Sequence, residues 1–182
     1  YDRQRAFKVT NAPAMDILVS SNLERLLYFA SGKNSEEIRN YMRDLSEKGE
    51  YTLNSATRQN LSQFVSGFAT QTQVSETIKA VARATQYTID PHTAVARYVY
   101  GKQEIAGPTL LAATASPYKF PQTVLQALGI TPQADFEALK QLAQATNTDI
   151  PSPVMDLFAK PVRHKQVIAA KEILATLRQE IL

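Results

Sequence analysis

Apolar residues recur at helical spacing along most of this chain. Pro13 followed by Met15, Leu18, Val19, Asn22, Leu23, Leu26, Leu27 and Ala30, with Gly32 just beyond, predicts one amphipathic helix with a proline start and a glycine stop. Asn34-Ser35-Glu36-Glu37 then offers a capping side chain and two first-turn acids suited to the helix dipole. Ile38, Tyr41, Met42 and Leu45 supply the apolar stripe of that second helix, which should end near Gly49. Residues 51–53 read as a short extended piece. From Ser55 the spacing Leu61, Phe64, Val65, Phe68 predicts another helix, although Gly67 inside it costs about 1 kcal/mol relative to alanine. Ser75-Glu76 is the expected cap of a further helix that turns Val74, Ile78, Val81 and Ala82 inward.

In the second half, Asp90-Pro91 predicts a helix start and Gly101 its stop. Residues 108–114 are short, apolar and bounded by turn residues, which predicts a buried strand. A helix over 122–128 should stop at Gly129, and Thr131-Pro132 should open another through Phe136, Leu139 and Leu142. Residues 147–153 read as a loop. The end of the chain, residues 161–182, reads as a final helix with Val167, Ile168, Ile173, Leu174, Leu177 and Ile181 inward and Lys165, Lys171 and Arg178 solvated. There is no internal repeat and no low-complexity tract. The expected fold class is therefore α/β and predominantly helical, with few short strands and packed helices.

Composition narrows the function. With 182 residues, 44% of them hydrophobic, the chain can supply a buried core. The formal charge of +3 is spread among acids, with no basic stripe interleaved with aromatics, so no nucleic-acid partner is expected. No apolar run approaches the roughly 20 residues of a membrane span. Zero cysteines exclude disulfides and thiolate metal sites and fit a reducing, cytoplasmic setting. Two histidines make a dedicated metal cage unexpected, so no metal is assigned. The opening Tyr1-Asp2-Arg3-Gln4-Arg5 reads as an interior start, as in a fragment of a longer protein.

Three places can carry chemistry. In Ile89-Asp90-Pro91-His92-Thr93-Ala94-Val95, the Asp90 carboxylate can accept from the free N–H groups of the first turn; this is either a plain helix cap or part of an anion site beside a neutral His92 that donates or orients. Thr114 ends the expected strand, where open α/β sheets bind ligands, and its hydroxyl either bonds its own turn or meets a ligand. Ser116-Pro117 and Lys119-Phe120-Pro121 follow as turn chemistry. Ser20, Ser21, Asn22 and Arg25 cluster over two turns, where Arg25 can reach a phosphate bidentately or simply be solvated.

Together Ala12-Pro13-Ala14-Met15-Asp16-Ile17, Ser20 to Leu27, Asp90 to Val95 and Thr114-Ala115-Ser116-Pro117-Tyr118-Lys119-Phe120 closely resemble the C-terminal portion of the threonine synthase family. The resemblance implies a fold-type II, tryptophan synthase β-like enzyme that uses pyridoxal 5'-phosphate to convert O-phospho-L-homoserine and water to L-threonine and phosphate. It also implies that Thr114 faces the pyridine nitrogen of the cofactor, in a motif that often reads Thr-Ala-His-Pro-Ala-Lys-Phe; here Ser116 stands where His is common and Tyr118 where Ala is common. Asp90, His92, Ser116, Lys119, Asn22 and Arg25 become candidate active-site wall residues.

The family's Schiff-base lysine sits in a Ser-Phe-Lys-Asp-like motif, and a glycine-rich loop cradles the phosphate. None of the ten lysines has that context; Phe7-Lys8-Val9 is a decoy. The six glycines never cluster. Residues 1–182 are thus expected to be part of the cofactor-binding catalytic domain plus the C-terminal helical region, with no catalytic residue of their own. Alone, they should be inactive, should not hold the cofactor covalently, and should self-associate through exposed core surface. The alternative is a stand-alone helical interaction module derived from the enzyme.

Overall fold

A computed structural model describes residues 1–163 and 165–181 and divides into two compact units, Tyr1–Thr148 and Asp149–Leu182. In the first unit, helices α1 (Ser21–Ala30), α2 (Ser35–Glu47) and α3 (Ser55–Asn60) pack together. Leu27, Ile38, Tyr41, Leu45 and Tyr51 form their core. Helix α4 (Gln71–Thr85) packs on α5 (Pro91–Tyr100) and α6 (Pro121–Leu128), and α6 on α7 (Asp135–Thr146). Here the buried residues are Val74 and Ile78, Ala94, Val124 and Leu125, and Ala138, Leu139 and Leu142. Each large aliphatic side chain removed from water contributes about 1.5–3 kcal/mol, so these stripes decide which faces turn inward.

The helix boundaries follow from side chains that satisfy otherwise unpaired N–H groups. Asn34 accepts from Glu37 N (3.1 Å) and Asn54 from Thr57 N (2.8 Å). Helix α4 opens with a reciprocal pair: Thr70 Oγ1 accepts from Gln73 N (3.3 Å) while Gln73 Oε1 accepts from Thr70 N (2.8 Å). Gly129 ends α6 in the left-handed conformation (φ +85°), which a residue without a Cβ adopts freely. The opening segment lies along residues 49–51: Tyr1 N donates to Tyr51 O (2.8 Å), Tyr51 N to Tyr1 O (3.0 Å), and Asp2 and Glu50 form an antiparallel bridge. The Tyr1, Tyr51 and Tyr41 rings stack in sequence, with centroids 5.4 and 5.2 Å apart. In the second unit, α8 (Ser152–Ala159) and α9 (Ile173–Ile181) are joined by residues that include a short 3-10 turn, Ala170–Glu172.

Several sequence expectations need correction. The single helix expected from Pro13 to Ala30 is a 3-10 turn, Pro13–Met15, and a separate α1. Asp16 is held by Thr10 N and Thr10 Oγ1 (both 2.7 Å), and the Tyr1 hydroxyl donates to Leu18 O and accepts from Ser20 N, so groups that would continue the helix are already bonded. Helix α3 stops at Asn60, leaving Phe64, Val65 and Phe68 exposed. Beyond it, Gly67 lies against α5, where an added Cβ would sit 2.8 Å from Val99 Cγ1. Helix α4 is capped by Thr70 rather than Ser75, and α7 begins at Asp135 rather than after Thr131-Pro132.

Residues 108–114 do not form a strand. Their backbone joins no ladder among the described residues, and Leu110 is 94% exposed, so the apolar run has neither the pairing nor the burial a strand requires. Residues 152–159 are helical where a loop was expected up to 153. The terminal helix is confined to its last part; Val167 is 96% exposed and Leu174 and Leu177 are exposed, while the expectation for Ile181 lies outside the described side chains.

Candidate functional site

Asp90 is the most constrained polar residue of the second helical group. Its side chain is 1% exposed, and Oδ1 accepts from His92 N (2.8 Å) and Thr93 N (3.4 Å). Thr93 Oγ1 donates to Oδ2, and His92 Nδ1 lies 3.1 Å from Oδ1. One carboxylate thus satisfies the free N–H groups at the start of α5, a neighbouring hydroxyl and an imidazole. The bond through Nδ1 leaves His92 Nε2 as the other ring nitrogen, buried and without a partner among the described residues. The ring rests against Phe120, with centroids 4.9 Å apart.

Phe120 connects this helix start to the second motif. Ser116 Oγ accepts from Tyr118 N (3.2 Å) and starts the 3-10 turn Pro117–Lys119, which leads directly into α6. Lys119 Nζ stands 5.8 Å from the centre of the Phe120 ring. Tyr118, in the position where the family motif often has alanine, is buried and its hydroxyl meets Thr148 O (2.9 Å) and Thr148 Oγ1 (2.8 Å). Tyr118 thereby anchors this turn to the segment that follows α7.

Thr114 is exposed on the extended segment before this turn, and no described residue bonds its hydroxyl. Leu111 and Ala113 of the same segment line a cavity of about 500 Å³ with Ala80, Ile89, Thr93 and Arg97. Asp90, His92, Ser116 and Lys119 are therefore linked through Phe120, whereas Thr114 is not among the residues that line this cavity. Asn22 and Arg25 are elsewhere, on α1, with Arg25 Nη2 3.5 Å from Asn22 Oδ1.

The sequence reading missed a second polar network. Glu37 Oε1 accepts from Tyr41 Oη (2.7 Å) and Thr57 Oγ1 (2.6 Å), and Tyr41 Oη accepts from Asn54 N (2.9 Å). The bonds from Thr57 and Tyr41 hold the Glu37 carboxyl below the ordinary carboxylate value, against partial burial that pushes it up. The i, i+4 spacing of Glu37 and Tyr41 and the capping spacing of Asn54 and Thr57 were its only sequence signals. Close by, burial first and the neighbouring Tyr1, Tyr41 and Glu24 second push the Tyr51 phenol up to about 12.

A pyridoxal-type group calls for a ring-nitrogen partner, a covalent lysine and a phosphate cradle, and the chemistry of these residues matches only the first. The exposed Thr114 hydroxyl is free to meet a ring nitrogen, whereas no lysine in the family context and no glycine cluster is present to supply a covalent link or a phosphate cradle.

Comparison with known proteins agrees with the sequence resemblance. The family described as "Threonine synthase, C-terminal" matches residues 93–177. Threonine synthase of Saccharomyces cerevisiae is 32% identical over 156 residues, covering 75% of this chain and 30% of that protein. Threonine synthase-like 1 of Mus musculus is 37% identical over 133 residues, covering 71% of this chain and 18% of that protein. Among solved structures, yeast threonine synthase superposes with a TM-score of 0.75 at 25% identity over 100% of this chain and 38% of its own. The pyridoxal-phosphate-bound enzyme of Brucella melitensis superposes with a TM-score of 0.65 at 35% identity over 77% and 30%. The chain thus spans well under half the length of the relatives it matches. By sequence and by fold alike, it is similar to the C-terminal portion of threonine synthases.

Proposed function

We propose that this chain is the C-terminal part of a pyridoxal-phosphate-dependent lyase that converts O-phospho-L-homoserine and water to L-threonine and phosphate. The observation that carries this reading is the match to yeast threonine synthase, 32% identical over 156 residues and superposable over the whole chain. In this reading residues 1–182 form part of the catalytic domain together with the C-terminal helical region, and the zero cysteine count fits a cytoplasmic setting.

When bound, the cofactor supplies the electron sink that deprotonation of an amino acid requires. Thr114 would hold its ring nitrogen with a neutral hydroxyl. The Asp90 carboxylate fixes the start of α5 and the orientation of His92, whose ring with Phe120 and Lys119 forms the adjoining wall. The Schiff-base lysine and phosphate loop lie outside this sequence, so the chain alone is expected to be inactive.

The test is a chimera in which this chain replaces the matching portion of yeast threonine synthase. Phosphate release from O-phosphohomoserine and growth of a threonine auxotroph are the expected results. A folded, cofactor-loaded chimera that releases no phosphate would overturn the reading and favour a non-catalytic interaction module.

A further inference from the structure

The break before α1 is made by bonds from the opening segment to the very atoms a continuous helix would use. In an α-helix each N–H donates to the carbonyl four residues earlier. A helix running unbroken into α1 would therefore give the Asp16, Ile17 and Leu18 carbonyls to Ser20, Ser21 and Asn22 N. In the structure the Tyr1 hydroxyl instead donates to Leu18 O (2.9 Å) and accepts from Ser20 N (2.8 Å). Arg5 Nη2 reaches Ile17 O (3.4 Å) and Leu18 O (3.3 Å), and Thr10 holds the Asp16 carboxylate. The segment that carries Tyr1 and Arg5 is itself fastened to the turn after α2, where Arg3 N donates to Gly49 O (3.0 Å) and Gln4 Nε2 to Lys48 O (3.0 Å).

The same stretch is prepared for a second arrangement. The 3-10 turn Pro13–Met15 is a helix already begun, and only residues 16–20 separate it from α1. Asn11 Oδ1 is buried without a partner among the described residues. It precedes Ala14 by three residues, the spacing at which Asn34 and Asn54 cap α2 and α3, so a longer helix would satisfy it. Met15, Ile17 and Val19 are exposed, so polar bonds rather than apolar burial hold the break.

We propose that residues 16–20 are a two-state hinge: Tyr1 and Arg5 brace them in the non-helical form, and release of the opening segment lets α1 grow back to Ala12 with Asn11 as its cap. The braced segments also line a cavity of about 890 Å³, with Phe7 and Lys8 on one and Met15 and Ile17 on the other. Helix growth withdraws the second wall, so the hinge sets whether that cavity exists.

The test is the set of carbon-13 Cα chemical shifts of the full 182-residue chain, which separate helical from non-helical backbone residue by residue. Residues 16–20 should be non-helical in the wild type. The Tyr1→Phe/Arg5→Ala variant deletes the brace while keeping a ring to stack on Tyr51, and should show helical shifts across all of residues 16–20. Ser21→Pro is the lock. Ser21 is the first residue of α1 and follows an extended Ser20, a place that suits proline; inside a longer helix the same proline would lose the bond to Ile17 O and clash with that carbonyl. Added to the released variant, Ser21→Pro should restore the wild-type shifts. Asn11→Ala in the released variant should lower the ratio of helical to non-helical form about fivefold, the effect of a lost cap.

Random-coil or unchanged shifts in the released variant, helical shifts already present in the wild type, or a helical signal that survives Ser21→Pro would each overturn the proposal. Wild-type shifts at Asn34 and Glu37 report that α2 remains folded; if the double variant loses them, Tyr1→Phe alone carries the same comparison with the same outcomes. No turnover enters these measurements, so they are separate from the result of the chimera.

Discussion

The Nδ1 atom of His92 lies 3.1 Å from Oδ1 of Asp90, two residues earlier, so the carboxylate that caps helix α5 also orients the imidazole beside it. Asp90 is 1% exposed and serves four donors at once, so its loss strands groups that water cannot reach.

Asp90→Ala should therefore lower the unfolding free energy by about 2–4 kcal/mol, combining a lost cap with buried donors left unpaired. Urea denaturation measures it, and the His92 resonances should shift in the same variant. A loss under about 0.5 kcal/mol, the range of an ordinary surface substitution, would show that the carboxylate does not hold this helix start.

Glu37 gives a pH dependence of definite sign. Its carboxyl is held below the ordinary value of 4.5, so its contribution to stability is fully present above 4.5 and is lost as pH falls through the lower folded value. The stability difference between wild type and Glu37→Gln should be constant near neutrality and shrink in acid. A difference that does not change on acidification would remove the ionised carboxylate from this account.

Tyr51 should titrate at about 12, above the ordinary phenol value of 10.0. Because the folded value is raised, the stability linked to it is present below 10.0 and lost as pH rises through about 12. Ultraviolet titration of wild type against Tyr51→Phe resolves this single phenol, provided alkaline unfolding is followed in parallel by circular dichroism. Loss of an ordinary phenol from the titration curve would refute the shift.

In the threonine synthase chimera, Thr114→Val keeps the side-chain shape and deletes the hydroxyl. Turnover should fall roughly 30- to 1000-fold, the effect of removing one oriented polar contact worth about 2–4 kcal/mol, while cofactor content is retained. Near-normal turnover with the cofactor bound would make Thr114 only the end of an extended segment.

Two measurements on the chain alone separate the enzyme portion from the independent module. Borohydride treatment with pyridoxal phosphate should modify no single lysine preferentially, since none has the family context. Phe7, Phe64, Phe68 and Leu110 are exposed, so the chain should bind a hydrophobic dye or self-associate. A dye-silent, monodisperse monomer is the outcome that favours the module.

What the sequence determined by itself were features whose causes are local. Asn34 and Asp90 cap their helices because a short polar side chain can reach N–H groups two or three residues ahead, and Gly129 stops α6 because it tolerates a positive φ. The family resemblance was legible for the same reason: its motifs are contiguous strings. Tertiary structure decided the rest. The break before α1 depends on Tyr1 and Thr10 bonding groups up to 19 residues away, a competition no helical periodicity records. Residues 108–114 have the composition of a strand, but a strand is a relation between two segments, and no described segment pairs with this one. Phe120 against His92 and Thr57 on Glu37 are likewise pairings across the chain, set by which helix faces the core buries.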